Sequence, residues 1–151
     1  PMQPFPPRRR LYLLRHGEVS YVEQGRFVPP EGVALNEQGR AQAAAAAQAL
    51  TGVAFDRAVT SGLLRTIETA QIVLGQRALP IETIPELCEI RGGRFGHLRP
   101  DELRYTFADA LTRALQPHDT FLLGESFGGF RDRARPAFHA LLADRSCGLW
   151  S

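Results

Sequence analysis

The stretch LYLLRHGEVS, residues 11–20, changes its chemical character halfway along. Four apolar or aromatic side chains come first and do not alternate with polar ones, which is typical of a strand buried on both faces of a parallel sheet. Arg15 and His16 follow at once, and we expect Gly17 to let the backbone turn closely past a ligand. We therefore predict a buried strand that ends in a guanidinium and an imidazole.

Strands and helices alternate through the rest of the chain. Asn36 is a good N-cap for a helix that we expect to end at Gly52, and Gly75 is expected to end the next helix. Pro136 lies inside the last helix, where we expect a kink or a restart. The predicted elements are helices at 36–52, 62–75, 101–115 and 129–143, with strands at 11–15, 55–61 and 79–87. This order predicts an α/β domain with a parallel sheet.

The composition fits one domain without a membrane or secretory segment. A chain of 151 residues with 44% hydrophobic content can bury one core. No apolar run approaches the ~18–20 residues that a membrane span needs, and the opening PMQPFPPRRR lacks the apolar region of a secretory signal. Prolines and arginines predict a disordered tail at 1–9, with Pro1 interpreted as the remnant of a cleaved tag. We expect a single domain at 10–151.

Charge and cysteine content narrow the class of protein further. All 18 basic residues are Arg, and the formal net charge of +2 is too mild to favour a nucleic-acid partner. The abundance of Arg and Ala is typical of a bacterial-like genomic composition. Cys88 and Cys147 lack metal-ligand spacing, so we expect free thiols, no bound metal and a cytoplasmic protein.

Two predicted strand ends bring cationic groups together. Ligands of open α/β sheets bind beyond the carboxyl ends of the strands. Arg15 and His16 follow the first strand, while Arg65 lies in the first turn of the helix after the second strand, where free backbone N–H groups favour an anion. A planar guanidinium suits a phosphate group. From spacing alone, an anion site and a purely structural histidine both stay open.

Five segments resemble the histidine phosphatase superfamily, the phosphoglycerate-mutase-like proteins. In chain order they are LLRHGE, LNEQGRAQA, TSGLLRTIETA, ELCEIRGGRFG and GESFGGFRDRARPAF, and they cover residues 10–140 or so. The resemblance implies an α/β three-layer sandwich with a mostly parallel central sheet. It also implies hydrolysis of phosphate monoesters of small metabolites, without a metal or other cofactor.

The resemblance assigns roles to residues of these segments. His16 matches the nucleophile, whose ring nitrogen attacks phosphorus and forms a phosphohistidine that water hydrolyses. Arg15 and Arg65 match the two phosphate-binding arginines, with Gly17 beside them. Glu89 matches the acidic residue that protonates the leaving oxygen, for which we expect a partly desolvated place.

Two interpretations stay open for each of five further residues. Arg26 matches a loop arginine of the mutases. Its side chain either contacts the substrate or lies on the surface in contact with solvent. Ser126, in the GES segment, either binds phosphate or caps the following helix. Arg91, Arg94 and Arg99 share the loop of Glu89, where they either attract a polyanionic substrate or are solvated.

Two departures from the family pattern bear on which reaction the chain catalyses and on whether it is active. Val22 and Val28 stand where true mutases carry an Asn and a Thr, which favours a phosphatase over a mutase. The family also implies a second catalytic His in a late HGG-like segment, whereas this chain continues as DRSCGLWS, residues 144–151. We therefore expect a domain lacking the C-terminal part of the fold. Its activity is then impaired, or it is a phosphate-binding or interaction protein without turnover, and a homodimer is one way to close the sheet.

Overall fold

The structure is a computed structural model that describes residues 10–20, 29–106 and 116–144. The predicted tail at 1–9, Arg26, and residues 145–151 lie outside these ranges. Val22, Val28 and the second half of the predicted helix at 101–115 lie outside them as well.

A parallel pair of strands joined by a helix organises the described residues. The elements in chain order are α1 (Glu37–Ala49), β1 (Ala58–Thr60), α2 (Leu64–Leu74), β2 (Ile81–Thr83), α3 (Pro100–Thr106) and α4 (Phe127–Ala143). Short 3-10 turns lie at Pro85–Leu87 and Phe121–Leu123. β1 and β2 pair in parallel, with Val59 opposite Glu82. The β1–α2–β2 unit confirms the predicted α/β order and the parallel sheet.

Capping residues set two helix ends as the sequence predicts, whereas α1 ends at Ala49 and not at Gly52 as expected. The Asn36 side chain accepts the Gly39 N–H (2.7 Å) and starts α1. Gly75, with φ +58°, ends α2 at the predicted position. α4 starts earlier than predicted, because Ser126 caps it, and it continues through Pro136 as one helix.

The core lies mainly between α1 and α2. Ala43 is buried on α1, and Val73 and Leu74 are buried on α2. The buried apolar residues of the described chain are Val19, Leu35, Ala43, Leu63, Val73, Leu74, Cys88 and Leu103. Within the described ranges, no helix combines the length and the apolar character needed to cross a membrane.

Residues 11–15 do not form a strand, so that prediction is wrong. They run in irregular conformation along α1 beside an apolar cavity of about 350 Å³, and Leu13 is 76% exposed. Tyr12 packs edge-to-face against Phe55, with ring centroids 5.5 Å apart. A parallel strand needs a hydrogen-bonded neighbour. Among the described residues, β1 pairs with β2 alone, so the apolar run has no ladder to join.

Candidate active site

The turn at His16 and Gly17 is fixed to the start of α2. The Gly17 N–H donates to the Thr69 hydroxyl (3.1 Å), and that hydroxyl donates to the Arg65 carbonyl (2.7 Å). Thr69 is buried, so these bonds are shielded from water. The histidine-bearing turn and the first turn of α2 therefore meet, as the sequence predicts.

Gly17 also presses against Gly39 on α1. A Cβ on Gly17 would lie 2.3 Å from the Gly39 carbonyl oxygen, and a Cβ on Gly39 would lie 2.1 Å from the Glu18 carbonyl oxygen. Only residues without a side chain allow two backbones to approach so closely. The side of Gly17 where a Cβ would stand therefore faces α1, and not a ligand as was expected from the sequence.

Glu18 attaches the same turn to the start of α1. Its carbonyl accepts the Asn36 N–H (3.0 Å), and its carboxylate accepts the Asn36 side-chain amide (3.0 Å). Its own N–H donates to the Gln42 side chain (2.9 Å). The two residues after His16 are thus held by α1 on one side and by α2 on the other. These contacts fix the backbone next to the histidine.

The His16 ring is oriented by a contact with its own turn. His16 Nδ1 lies 2.7 Å from the Gly17 carbonyl oxygen. A carbonyl oxygen can only accept, so this contact is a hydrogen bond when Nδ1 carries a proton, and Nε2 is the other nitrogen of the ring. His16 is half-buried and therefore still reachable from solvent.

Arg65 places a buried guanidinium at the start of α2. Its side chain is only 3% exposed. Nη1 donates to the Pro30 carbonyl (3.1 Å), and Nη2 lies 3.6 Å from the Glu89 carboxylate. Nε is buried and has no hydrogen-bond partner among the residues that the structure describes. Because a buried donor without a partner costs stability, this guanidinium is suited to an anionic ligand.

Glu89 and Arg15 lie in more open places. The Glu89 side chain is 58% exposed, so the expected desolvated place is not what the structure shows. Its carboxylate nevertheless lies beside Arg65, as the assigned role requires. Arg15 is exposed as well. The buried positive charge of the site therefore comes from α2.

Glu125 and Arg133 form the most complete ion pair near the Glu89 loop. Arg133 Nε and Nη2 donate to the two carboxylate oxygens of Glu125 at 2.6 and 2.7 Å. The hydrogen bond from Arg133 holds the pKa of the Glu125 carboxyl below its ordinary value, and the pairing raises the pKa of Arg133. The adjacent Ser126 hydroxyl accepts the Gly129 N–H (3.0 Å) as the cap of α4, one of the two roles left open for it.

The loop arginines have local partners. Arg91 lies 4.0 Å from Glu31, and Arg99 lies 3.4 Å from Asp101. Arg94 stacks over Phe95 at 5.0 Å. In the described part of the chain, no cluster of His, Cys, Asp and Glu is placed to hold a metal ion. Burial raises the pKa of the nearby Cys88 thiol, which makes it a poor nucleophile.

Sequence reasoning missed four residues that shape this site. Thr69 follows Arg65 by one helical turn, so helical spacing places this pair on one face of α2, whereas Arg133 lies on α4 and Glu125 lies just before its cap. That spacing does not reveal what the face contacts. Gly39 and Glu18 lie inside segments used for the family resemblance, but their contacts link separate parts of the chain.

Comparison with known proteins identifies relatives over most of the chain. A family model for the histidine phosphatase superfamily (branch 1) matches residues 11–148. The adenosylcobalamin/alpha-ribazole phosphatase of Escherichia coli (strain K12) is 40% identical over 81 residues, which are 54% of this chain and 40% of that protein. The 2,3-bisphosphoglycerate-dependent phosphoglycerate mutase of Bartonella henselae is 36% identical over 106 residues, 67% of this chain and 52% of the mutase. The chain spans about half the length of these curated relatives.

Solved structures show the same architecture. The alpha-ribazole phosphatase from Shigella flexneri matches with a TM-score of 0.75 and 30% identity, covering 85% of this chain and 65% of that one. The mycobacterial glucosyl-3-phosphoglycerate phosphatase, whose structure is a complex with VO3, matches with a TM-score of 0.75 and 26% identity, covering 86% and 63%. These matches confirm the predicted α/β, phosphoglycerate-mutase-like fold.

Proposed function

The chain belongs to the histidine phosphatase superfamily, and on that premise we propose that it hydrolyses phosphate monoesters of small molecules through a phosphohistidine on His16. The phosphatases among its relatives support phosphatase chemistry in general. The reaction proposed for this chain needs no metal ion, because cationic side chains supply the positive charge around the phosphate.

One observation carries this proposal: the buried Arg65 guanidinium is linked through Thr69 to the His16 turn, and its Nε–H has no partner among the residues that the structure describes. A phosphoryl oxygen at this point would accept the free N–H and neutralise the charge. Donors fixed in place before reaction stabilise the developing charge of a transition state without reorganisation. The exposed Arg15 would close over the other side of the group once it binds.

The first chemical step transfers the phosphoryl group to the histidine. The lone pair of His16 Nε2 attacks phosphorus, so an N–P bond forms while the P–O bond to the leaving alcohol breaks. The Glu89 carboxyl gives its proton to the leaving oxygen, and the alcohol departs neutral. The Nδ1–H bond to the Gly17 carbonyl stabilises the positive charge that the ring acquires.

The second step regenerates the enzyme. Water attacks phosphorus in line with the N–P bond, and the Glu89 carboxylate now takes the proton from that water. The N–P bond breaks, its electron pair returns to Nε2, and inorganic phosphate leaves. The carboxyl is again protonated for the next turnover.

A phosphate-binding protein without turnover is the second candidate. It is favoured by the exposure of Glu89 and by the irregular conformation of residues 11–15, which leave Arg65 as the one buried cation described at this site. Such a protein would bind inorganic phosphate through Arg65 and would release no alcohol from an ester. Mutase activity is a less favoured third reading, and it requires a bisphosphorylated primer.

Turnover of p-nitrophenyl phosphate in the presence of a chelator separates these candidates. We expect His16→Ala to abolish the reaction, and Arg65→Ala to slow it by about 10²–10³-fold. His139→Ala and Arg131→Ala, which change exposed residues of the same types on α4, serve as matched controls and should retain activity. The absence of turnover that depends on His16 would overturn the hydrolase proposal. Phosphate binding lost in Arg65→Ala would then support the second candidate.

A further inference from the structure

Arg133 holds the backbone of the loop that carries Glu89. Its Nη1 donates to the carbonyls of Glu86 (2.7 Å) and Cys88 (2.8 Å), and its Nη2 donates to the carbonyl of Glu89 itself (3.1 Å). The Arg133 side chain is 18% exposed, so these bonds are partly shielded from water. One guanidinium on α4 thus satisfies three acceptors of a segment 44 or more residues earlier in the chain.

Glu125 holds both Arg133 and the far side of the same loop. Its carboxylate receives two hydrogen bonds from Arg133 and a third from the Arg91 N–H (3.1 Å). The Glu125 N–H also donates to the Arg91 carbonyl (2.9 Å). The ion pair therefore binds the backbone on both sides of Glu89, from Glu86 to Arg91.

The backbone of residues 123–124 packs directly against the loop that carries Glu89. A Cβ on Gly93 would lie 2.3 Å from the Leu123 carbonyl, and a Cβ on Gly124 would lie 2.2 Å from the Arg91 carbonyl. Leu122 and Leu123 have φ of 52° and 60°, values that bulky residues seldom adopt. The segment before Glu125 is thus held in a costly conformation that presses it against the Glu89 loop.

The Glu89 side chain itself is weakly held in the part of the chain that the structure describes. It is 58% exposed, and the described contact of its carboxylate is the 3.6 Å approach to Arg65. An exposed glutamate samples several rotamers, so the position of its carboxyl depends on a fixed backbone. We propose that Arg133 and Glu125 are positioning residues, which fix the Glu89 backbone so that its carboxyl stays beside Arg65 at the phosphate site. The inference rests on the proposed function, in which Glu89 donates the proton to the leaving oxygen.

Arginine suits this place because of its shape. Its five N–H donors lie in one rigid plane and reach a carboxylate on one side and carbonyls on the other. A lysine ammonium carries three donors around one atom and does not span these acceptors. Charge alone would therefore not rescue the position, and Arg133→Lys should behave like Arg133→Gln.

Two aryl esters of similar shape separate positioning from a general structural role. Phenyl phosphate has a basic leaving oxygen that needs a proton, whereas p-nitrophenyl phosphate has a weakly basic one that departs without it. Both esters give the same phosphohistidine, so the comparison uses kcat/KM, which reports the transfer to His16 and not the later attack of water. We expect Glu89→Gln to lower kcat/KM by about 10²-fold or more for phenyl phosphate and far less for p-nitrophenyl phosphate. Arg133→Gln should show the same selective loss, and the double variant should lose little beyond either single variant. Arg131→Gln, an exposed arginine of the same helix, should lose neither activity.

Amide hydrogen exchange supplies a readout that needs no turnover. Arg133→Gln should lose protection at residues 86–93, while α1 and α2 keep the protection of the parent protein. If Arg133→Gln does not fold by circular dichroism, Glu125→Gln takes its place with the same expectations.

Equal slowing of both esters in Arg133→Gln, or unchanged exchange at 86–93, would overturn the positioning role. Unselective slowing in Glu89→Gln would instead overturn the acid role proposed for Glu89. If the parent protein hydrolyses neither ester, the proposed hydrolysis fails, and exchange alone decides whether the pair fixes the loop.

Discussion

Replacing Gly39 by alanine tests the contact between α1 and the turn that carries His16. An alanine Cβ at this position would lie 2.1 Å from the Glu18 carbonyl oxygen and 2.6 Å from the Glu18 nitrogen, whereas ordinary contact begins at 3.4 Å. Both neighbouring atoms belong to the backbone, so no side chain can rotate away. The Gly17–Glu18 segment would have to move from α1 by about 1.3 Å, the difference between the two distances.

The energetic result is opposite to that of most Gly→Ala changes inside a helix. Alanine favours a helix over glycine by about 1 kcal/mol. Overpacking costs about 1–3 kcal/mol, and each weakened hydrogen bond of Glu18 adds about 1 kcal/mol. We therefore expect Gly39→Ala to lower the free energy of unfolding by about 2–4 kcal/mol.

Urea unfolding followed by circular dichroism measures this change, provided that the slope against urea stays constant. Gly52→Ala is the matched control, because nothing lies within 4 Å of a Cβ at Gly52, and its stability should change by less than about 1 kcal/mol. A Gly39→Ala protein as stable as the parent would show that α1 and the histidine turn are not in contact as described.

Three further substitutions test single contacts. Thr69→Val keeps the side-chain shape but leaves the Gly17 N–H without an acceptor, so it should cost about 1–3 kcal/mol in urea unfolding and weaken phosphate binding. Because Arg133 lowers the pKa of Glu125, this carboxylate stabilises the fold above its ordinary pKa of 4.5 and loses that effect as the pH falls through the lowered value. Glu125→Gln should therefore be less stable than the parent at neutral pH, with a gap that closes on acidification, and a gap independent of pH would contradict the pairing. Ser126→Ala should cost about 1 kcal/mol as a lost helix cap without changing phosphate affinity, and reduced affinity would favour a phosphate contact instead.

Features that depend on neighbours in sequence were predicted well. Asn36 starts α1 and Gly75 ends α2 at the expected positions, because capping involves hydrogen bonds within one turn of the helix. The order of β1, α2 and β2 follows from alternating strand and helix patterns. The His16 turn approaches Arg65 as expected, although the strand at 11–15 from which this was predicted is absent, and the Gly17–Thr69 hydrogen bond makes the approach.

Features that depend on distant partners were predicted poorly or not at all. Residues 11–15 have the composition of a buried strand, but a strand forms only where another strand accepts its hydrogen bonds. The exposure of Glu89 depends on which segments surround its loop. The hydrogen bonds of Arg133 to that loop join residues 44–47 positions apart. From the sequence alone, an arginine within a helical pattern is predicted to be a solvated surface charge.

The central claim is that His16 Nε2 becomes phosphorylated during turnover. The direct measurement is peptide mass spectrometry of the protein mixed with p-nitrophenyl phosphate and quenched in alkali, where a phosphorus–nitrogen bond survives. We predict one added phosphoryl group on the peptide that contains His16, its loss when the quenched sample is acidified, and no such group in His16→Gln. Turnover that proceeds with His16 unmodified, or with the phosphoryl group on another residue, would contradict the claim.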